Sequence, residues 1–299
     1  MQLLSVQRIL ISLGMIVFVG AVAAGATGAF FNDTETSTGN TFAAGDIDLQ
    51  IDNDSYITAT STQGSGPDNM VAWAATSWDL TDLTIEKFFD FIDLKPGDLG
   101  EDTISIHVGS NNAWLCAAAQ VTTDEDNTCT EPEGDDDANC AEPGPGLGEL
   151  DEQVNFAFWV DDGDNVFEPV AGTGGSPETV FLSGPISGLD SQGQIALSDA
   201  SGGPFGSAGV PGGSTNYIGK AWCFGAMTPD ALVQDGVNTG NPTTLGTGWN
   251  CDGTGVDNAA QTDRVIGDLE FYAEQSRNNA DFQCETDYVP SWVTPVPAS

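Results

Sequence analysis

Acidic and amide side chains are concentrated in one short segment, Asp-Asp-Gly-Asp-Asn-Val-Phe-Glu at residues 161–168. The segment directly follows residues 154–160, whose apolar character predicts a strand. Calcium prefers several oxygen ligands close together in the sequence, and a glycine lets the chain curl around the ion. We therefore predict a calcium site, although the spacing is not that of an EF-hand; the alternative is a solvated acidic turn. The candidate ligands are Asp161, Asp162, Asp164, Asn165 and Glu168.

Catalytic motifs are absent from the sequence. His107 is the only histidine, whereas catalytic zinc usually needs two or three. Neither His-Glu-x-x-His nor the nucleophile elbow Gly-x-Ser-x-Gly occurs. Acidic residues are so frequent that no particular pair can be singled out for glycoside cleavage. We therefore interpret His107 as an ordinary strand residue, assign no catalytic residue and predict that the protein is not an enzyme.

Charge is strongly unbalanced, with 45 Asp and Glu against 6 Lys and Arg and a formal net charge of −39. Such a surface attracts cations and repels nucleic acid and anionic lipid headgroups, so we predict no nucleic-acid partner. The composition is expected of a high-salt habitat, because salt screens the repulsion between acidic groups. A calcium-rich surface layer on a low-salt organism is the alternative.

Two further acidic runs, residues 124–127 and 133–137, lie on either side of Cys129. They also offer oxygen ligands for calcium. Because runs of like charge repel one another and tend to stay solvated, we predict a mobile acidic loop here instead of an ion site.

An even number of cysteines, six, predicts disulfides if the chain leaves the cytoplasm, and no Cys-x-x-Cys spacing indicates zinc or redox chemistry. Cys129 and Cys140 flank one acidic loop and are candidates to close it. Cys116 and Cys223 both follow a tryptophan in a strand-like pattern and form a second candidate pair. Sequence alone does not fix the pairing, since six cysteines allow 15 arrangements. The remaining two are Cys251 and Cys284.

The first thirty residues have the pattern of an export signal. One positive charge, Arg8, precedes an uncharged apolar run at residues 9–26, and small residues follow it. The run is slightly shorter than the roughly 20 apolar residues that span a bilayer, which favours cleavage. We predict a cut after Ala29 that leaves Phe30 at the mature N-terminus of a secreted, extracellular or cell-surface protein. The alternative is an uncleaved helix, which would be its only contact with the membrane.

Two segments resemble a known family. They are Ala-Phe-Phe-Asn-Asp-Thr-Glu-Thr-Ser-Thr-Gly-Asn-Thr-Phe-Ala-Ala-Gly-Asp-Ile-Asp-Leu at residues 29–49 and Asp-Leu-Lys-Pro-Gly-Asp at residues 93–98. Both resemble TasA/camelysin-type exported proteins, which carry SipW-dependent signal peptides, and the resemblance covers residues 9–52 and 93–106. It implies a β-sandwich, processing by a SipW-type signal peptidase and assembly into biofilm-matrix fibres. Camelysin-type members are described as metalloproteases, so the resemblance also implies a protease as the alternative.

Short β-rich runs alternate with Gly/Pro-rich turns along the rest of the chain, which favours an all-β fold. We predict a jelly-roll-type antiparallel β-sandwich with long acidic and Gly-rich loop insertions. The predicted strands are residues 46–52, 88–94, 103–108, 113–121, 154–160, 179–182, 194–197, 217–224 and 264–272, and the possible helices are residues 82–89 and 259–264. The predicted domains are a signal peptide in a hydrophobic helix (1–29), an extended segment (30–45), the sandwich (46–288) and a Pro-rich tail (289–299).

The mature N-terminus suggests how subunits join. Phe30, Phe31 and Phe42 stand among Thr, Ser, Asn and Gly without a proline, so residues 30–43 can extend as a strand. Such a strand can fill the open edge of a neighbouring sandwich, and head-to-tail repetition gives a filament of identical subunits. We therefore predict a structural subunit of an extracellular fibre or biofilm matrix. The alternatives are a segment that folds back into its own sandwich, and a secreted hydrolase or carbohydrate-binding module.

Overall fold

The computed structural model describes residues 47–59, 69–90, 93–236 and 240–293. The predicted signal helix, its cleavage position between Ala29 and Phe30, and the donor strand with Phe31 and Phe42 lie outside the described residues. Within the described ranges, no helix is long and apolar enough to cross a membrane.

The described part of the chain forms twelve strands and three single-turn α-helices. The strands are β1 Leu49–Thr58, β2 Met70–Ala72, β3 Trp78–Thr81, β4 Leu99–Val108, β5 Ala113–Glu125, β6 Val154–Asp161, β7 Val180–Pro185, β8 Gln194–Ser198, β9 Thr215–Phe224, β10 Ala226–Pro229, β11 Trp249–Asp252 and β12 Arg264–Gln275. The α-helices are α1 Leu150–Gln153, α2 Pro242–Leu245 and α3 Cys284–Asp287, and the 3-10 helices are Glu133–Asp135 and Ile186–Ser191.

The strands form two main antiparallel sheets. The seven-stranded sheet has the order β2-β1-β4-β9-β6-β7, with β3 also paired to β1. The three-stranded sheet has the order β12-β5-β8, and β10 and β11 form a separate two-stranded ribbon. The centre of the larger sheet is therefore β4 and β9, and the long strand β12 forms one edge of the smaller sheet.

An apolar core joins the two sheets face to face. Ile104, Ile106 and Val108 enter it from the larger sheet, and Leu115 and Ala117 enter it from the smaller one. Every second residue of a strand points to the same face, so this spacing gives each sheet one apolar face to bury. The predicted all-β antiparallel sandwich is confirmed, with its strands divided seven to three.

The predicted strand at residues 88–94 is wrong. Its described residues, 88–90 and 93–94, form no strand; Phe88 instead packs into the core, and its carbonyl accepts a hydrogen bond from buried Lys220 (2.6 Å). The possible helices at residues 82–89 and 259–264 are not formed either. Strand β11 is absent from the predicted strands; there Trp249 packs into an apolar cluster, and pairing with β10 fixes the extended backbone.

The six cysteines form three disulfides, and the predicted Cys129–Cys140 pair is confirmed. The candidate pairs Cys116–Cys223 and Cys251–Cys284 are wrong. Cys116 packs with Phe282 beside the smaller sheet, whereas Cys223 packs in a separate apolar cluster of the larger sheet. The two cysteines of that candidate pair therefore lie in different sheets and in different clusters. The observed bonds are Cys116–Cys284 and Cys223–Cys251.

Two tryptophans of the larger sheet lie across from glycines on the neighbouring strand. Trp159 on β6 faces Gly219 on β9, and Trp222 on β9 faces Gly100 on β4. A Cβ atom on either glycine would overlap the indole ring. The glycines thus leave room for the rings, which is a common reason for glycine inside a strand.

Gly219→Ala should lower the free energy of unfolding by about 1–3 kcal/mol, because the added methyl group overpacks the site against Trp159. Chemical denaturation of both proteins measures the difference. Gly188→Ala is the matched control, since a Cβ there meets nothing within 4 Å. Equal stability of Gly219→Ala and the unaltered protein would contradict the described packing.

Candidate functional site

Asp161 organises the acidic loop that follows β6. Its Oδ2 accepts hydrogen bonds from Thr103 Oγ1 (2.9 Å), the Gly163 amide (3.1 Å) and the Asn165 amide (3.4 Å). Its Oδ1 accepts one from the indole N–H of Trp159 (3.3 Å). Because donors already surround both carboxylate oxygens, Asp161 serves mainly to shape the loop.

The loop turns tightly and leaves polar oxygens inside the protein. Gly163 and Asn165 adopt φ angles of 105° and 67°, and Asp164 Oδ1 accepts a hydrogen bond from the Val166 amide (3.0 Å). The amide group of Asn165 donates to the Asp54 carbonyl on β1 (2.8 Å). Asp164 Oδ2 and Asn165 Oδ1 are buried without a hydrogen-bond partner among the described residues. Buried polar atoms normally have partners, so these two oxygens are available to a ligand.

Three carboxylates converge beside this turn. Asp162, Glu168 and Asp235 each place one carboxylate oxygen within 4.8 Å of the other two. Glu168 is buried, and its Oε2 accepts a hydrogen bond from the Asp235 amide (3.2 Å). Asp162 and Glu168 belong to the predicted ligand set. Asp235 lies 67 residues after Glu168 and outside any acidic run, so no local pattern in the sequence identifies it.

Glu178 forms hydrogen bonds with both ends of the loop after β6. Its Oε1 accepts a hydrogen bond from the Asp162 amide (3.1 Å), and its Oε2 accepts one from the Glu168 amide (2.8 Å). A surface depression of about 410 Å³, lined by Asp162, Glu178 and Gln234 among others, opens at this point. Of the three converging carboxylates, Asp162 is therefore reached from solvent through this depression.

Another carboxylate lies behind the loop, within the larger sheet. Glu101 on β4 is fully buried, and neither of its carboxylate oxygens has a hydrogen-bond partner in the described part of the chain. Burial, followed by the charges of Asp161 and Asp164, holds the pKa of Glu101 well above its ordinary value. A carboxylate in this position is stable only when it is protonated or neutralised by a nearby cation.

Burial and mutual repulsion make the other acids of the cluster reluctant to ionise. Burial first, and then the charge of Asp161, raise the pKa of Asp164 to about 8 and that of Glu178 to about 9. Burial also raises the pKa of Asp161 to about 6, although Thr103 and two backbone amides donate to it. A bound cation would reverse both effects, because it neutralises the charge that burial disfavours.

The buried Lys220 forms its ion pair with an acid outside this cluster. Lys220 on β9 places its Nζ 2.6 Å from Asp102 Oδ2, and both side chains are fully buried. Asp102 follows Glu101 in β4, and consecutive residues of a strand point to opposite faces. None of the five ion pairs found in the described ranges includes Glu101 or an acid of the loop after β6. None of these ion pairs therefore offsets the negative charge that Glu101 and the loop acids acquire when they ionise.

Oxygen atoms are the ligands that this cluster offers. All six cysteines are in disulfides, and His107 lies in β4, where it pairs with Asp52 (2.7 Å) and Thr215 (3.1 Å). Carboxylate and amide oxygens suit hard cations such as Ca²⁺ and Mg²⁺, whereas zinc and copper prefer nitrogen and sulfur. The arrangement can therefore bind a hard divalent cation.

The chain matches no protein-family model, and no characterised protein is significantly similar to it. Its fold and covalent bonds define an all-β sandwich with three disulfides. The relation to TasA/camelysin-type proteins stays a prediction based on residues 9–52 and 93–106.

The free energy of unfolding of the chelator-treated protein should decrease as the pH rises from about 5 to about 9. In this range the folded state binds more protons than the unfolded state, because the pKa values of Asp161, Asp164 and Glu178 are raised to about 6, 8 and 9. The stability that these raised pKa values contribute is fully present below the ordinary carboxyl pKa, and it is lost as the pH rises through the raised values. Chemical denaturation at several pH values measures the slope.

Asp164→Asn should flatten this slope, because its neutral side chain no longer titrates. Asp230→Asn is the control, since Asp230 is exposed. Stability that increases with pH in the presence of chelator would contradict the raised pKa values.

Proposed function

We propose that this protein is an exported structural protein, a subunit of an extracellular fibre or biofilm matrix whose subunits join by strand addition and whose fold is stabilised by calcium. The observation that carries the proposal is the open edge formed by β12. The acidic cluster after β6 supports the calcium component, and the predicted export signal supports the location.

Strand β12 is a suitable acceptor for an added strand. It is 12 residues long, and β5 is its only strand partner in the described part of the chain. The other edge strands are shorter, with five residues in β8 of the same sheet and three in β2 and six in β7 of the larger sheet. Residues 266–268 are exposed, and Ile266 leaves 42% of its surface accessible. An edge of this kind presents unpaired N–H and C=O groups to a neighbouring chain.

The proposed donor is the mature N-terminus, residues 30–43, of a neighbouring subunit. Addition of an extended segment to a sheet edge forms main-chain hydrogen bonds, and Phe30, Phe31 and Phe42 supply apolar contacts. Residue 47 is already buried in the core of its own subunit, so the donor segment ends where the domain begins. A contact that repeats head to tail without closing gives a filament.

The covalent structure fits an extracellular location. Three disulfides are typical of proteins that fold in an oxidising environment outside the cytoplasm. Secretion by a SipW-type peptidase is the finer proposal, and it rests on the sequence around Ala29 and Phe30.

Calcium is the cation we propose for the loop after β6. Asp162, Glu168 and Asp235 converge from two loops, and Asp164 and Asn165 in the same turn as Asp162 each have a buried oxygen without a partner among the described residues. Calcium accepts six to eight oxygens in flexible geometry, whereas Mg²⁺ demands a near-ideal octahedron and keeps its waters. A multi-carboxylate loop therefore suits calcium better.

Calcium at about 100 times its Kd should raise the melting temperature by about 5–10 °C through this site, because it binds the folded state only. The Asp162→Asn variant should not show this rise in melting temperature, since the substitution removes one converging carboxylate. Asp230→Asn makes the same chemical change at an exposed position outside the cluster and should keep it. Calorimetry with calcium and with chelator measures each value, and an equal response of Asp162→Asn and Asp230→Asn would exclude the site.

Deletion of residues 30–43 should abolish fibres while leaving a folded domain, because it removes the donor.

Ile266→Lys should also reduce assembly at least several-fold, since a charged residue on an edge strand opposes pairing. Val71→Lys is the matched control for Ile266→Lys, because Val71 lies on another edge strand, β2, and is also 42% exposed. Electron microscopy and light scattering measure assembly.

Fibres that persist after the deletion would exclude N-terminal donation. Loss of assembly in Val71→Lys but not in Ile266→Lys would indicate that the acceptor edge is β2 and not β12.

A further inference from the structure

A second group of acids is buried under the disulfide loop, apart from the loop after β6. We propose that it is a calcium site that fixes the Cys129–Cys140 loop to the end of β5 and to the start of β12. This disulfide-loop site requires neither fibre assembly nor the site after β6. Its five carboxylates are Asp126, Glu133 and Asp263, which converge, and Asp137 and Glu149, which interact with them through their charges.

The carboxylates are close together and shielded from water. Asp126, Glu133 and Asp263 each place one oxygen within 4.8 Å of the other two. Asp126 is 2% exposed, Glu133 is 0% exposed and Asp137 is also buried. The predicted mobile solvated loop is therefore wrong for these residues. The loop is held against the segment before β12, because Thr262 Oγ1 donates to the Thr128 carbonyl (2.7 Å).

Backbone amides hold one oxygen of three of these carboxylates. Glu133 Oε2 accepts a hydrogen bond from the Thr130 amide (2.8 Å), and Asp137 Oδ1 accepts one from the Asn139 amide (2.7 Å). Asp263 Oδ2 likewise accepts one from the Glu149 amide (2.6 Å). These bonds fix the direction of each carboxyl group, so the second oxygen is oriented before any ligand binds.

The second oxygens are the ones without partners. The buried atoms for which the described residues provide no hydrogen bond are both oxygens of Asp126, Oε1 of Glu133, Oδ2 of Asp137, Oε2 of Glu149 and Oδ1 of Asp263. A buried carboxylate oxygen without a donor is costly. These are six oxygens, the lower end of the number that calcium takes, and three of the carboxylates that carry them, Asp126, Glu133 and Asp263, converge.

No described basic side chain neutralises this site. Arg264 follows Asp263 in the sequence, but its guanidinium pairs with Glu125 (2.7 Å). The described ion pairs include none of the five acids. Burial, with the charges of Asp137 and Asp263, raises the pKa of Glu149 to about 7. A divalent cation is the ligand that relieves both the repulsion and the missing hydrogen bonds.

Calcium titration calorimetry on the full chain with its disulfides intact tests the proposal. Glu133→Gln should weaken binding at the disulfide-loop site by about 10- to 100-fold, because it removes one ligand charge. Its amide oxygen still accepts the Thr130 hydrogen bond, so the loop keeps its shape. Glu131→Gln is the matched control, since it makes the same change at an exposed position two residues earlier. It should bind calcium like the unaltered protein.

The two proposed sites can be distinguished. If both are correct, the unaltered protein binds two calcium ions, Glu133→Gln loses one and Asp162→Asn loses the other. If only the disulfide-loop site is correct, the unaltered protein binds one ion and Glu133→Gln alone loses it. Calcium binding that is the same in Glu133→Gln and Glu131→Gln would overturn the proposal, as would an unaltered protein that binds no calcium.

Hydrogen exchange gives a readout that does not depend on any variant. The amides of residues 130, 134, 136, 137 and 139 are hydrogen-bonded within the loop, so they exchange only when it opens. Calcium at about 100 times its Kd should slow this exchange about 100-fold, because the ion must leave first. The β1–β4 ladder should change less. Exchange of the loop that is unaffected by calcium would overturn the proposal.

Discussion

Repulsion between buried carboxylates is the constraint on which the rest of this structure depends. The chain has only six basic residues, and the one fully buried ion pair of the described residues joins Lys220 to Asp102. Every other buried acid must be protonated, hydrogen-bonded or neutralised by an ion from solution. Glu101 and Asp126 have none of their oxygens satisfied by described groups. Under the proposed cation binding, the stability of this interior would depend on the ionic composition of the medium more directly than that of a charge-balanced protein.

Both acidic sites use the same local construction. A backbone amide two or three residues away holds one oxygen of a carboxylate, as Val166 does for Asp164 and Thr130 does for Glu133. These short-range bonds can form before the ion arrives, because they require only a turn. One carboxylate oxygen of Glu133 also lies within 4.8 Å of an oxygen of Asp263, which belongs to a distant segment. A bound cation would thus add long-range connections to a loop whose local shape is already determined.

Sequence patterns predicted those features of this protein that depend on residues close together in the sequence. Short β-rich runs between Gly/Pro-rich turns predicted the sandwich and residues 103–108 of β4, and contiguous acids predicted the acidic loop after β6. Asp235 and Glu178 join that loop only because the sheet topology brings distant segments together. The buried loop containing Glu133 was predicted to be solvated, because counting like charges ignores the Thr128–Thr262 contact that holds it. The pairing of Cys116 depends on which cluster it enters, and a strand pattern does not contain that information.

The disulfide-loop site and the proposed acceptor edge are neighbours, because Asp263 immediately precedes β12. An added strand must pair with an ordered edge, and any ordering that occurs during association reduces affinity. A cation that fixes Asp263 would pre-order the first residues of that edge. Monovalent salt would act differently, because it screens the −39 net charge, which opposes association, over a Debye length of only ~3 Å at 1 M. Calcium and salt should therefore make separable contributions to assembly, one through the order of β12 and one through long-range repulsion.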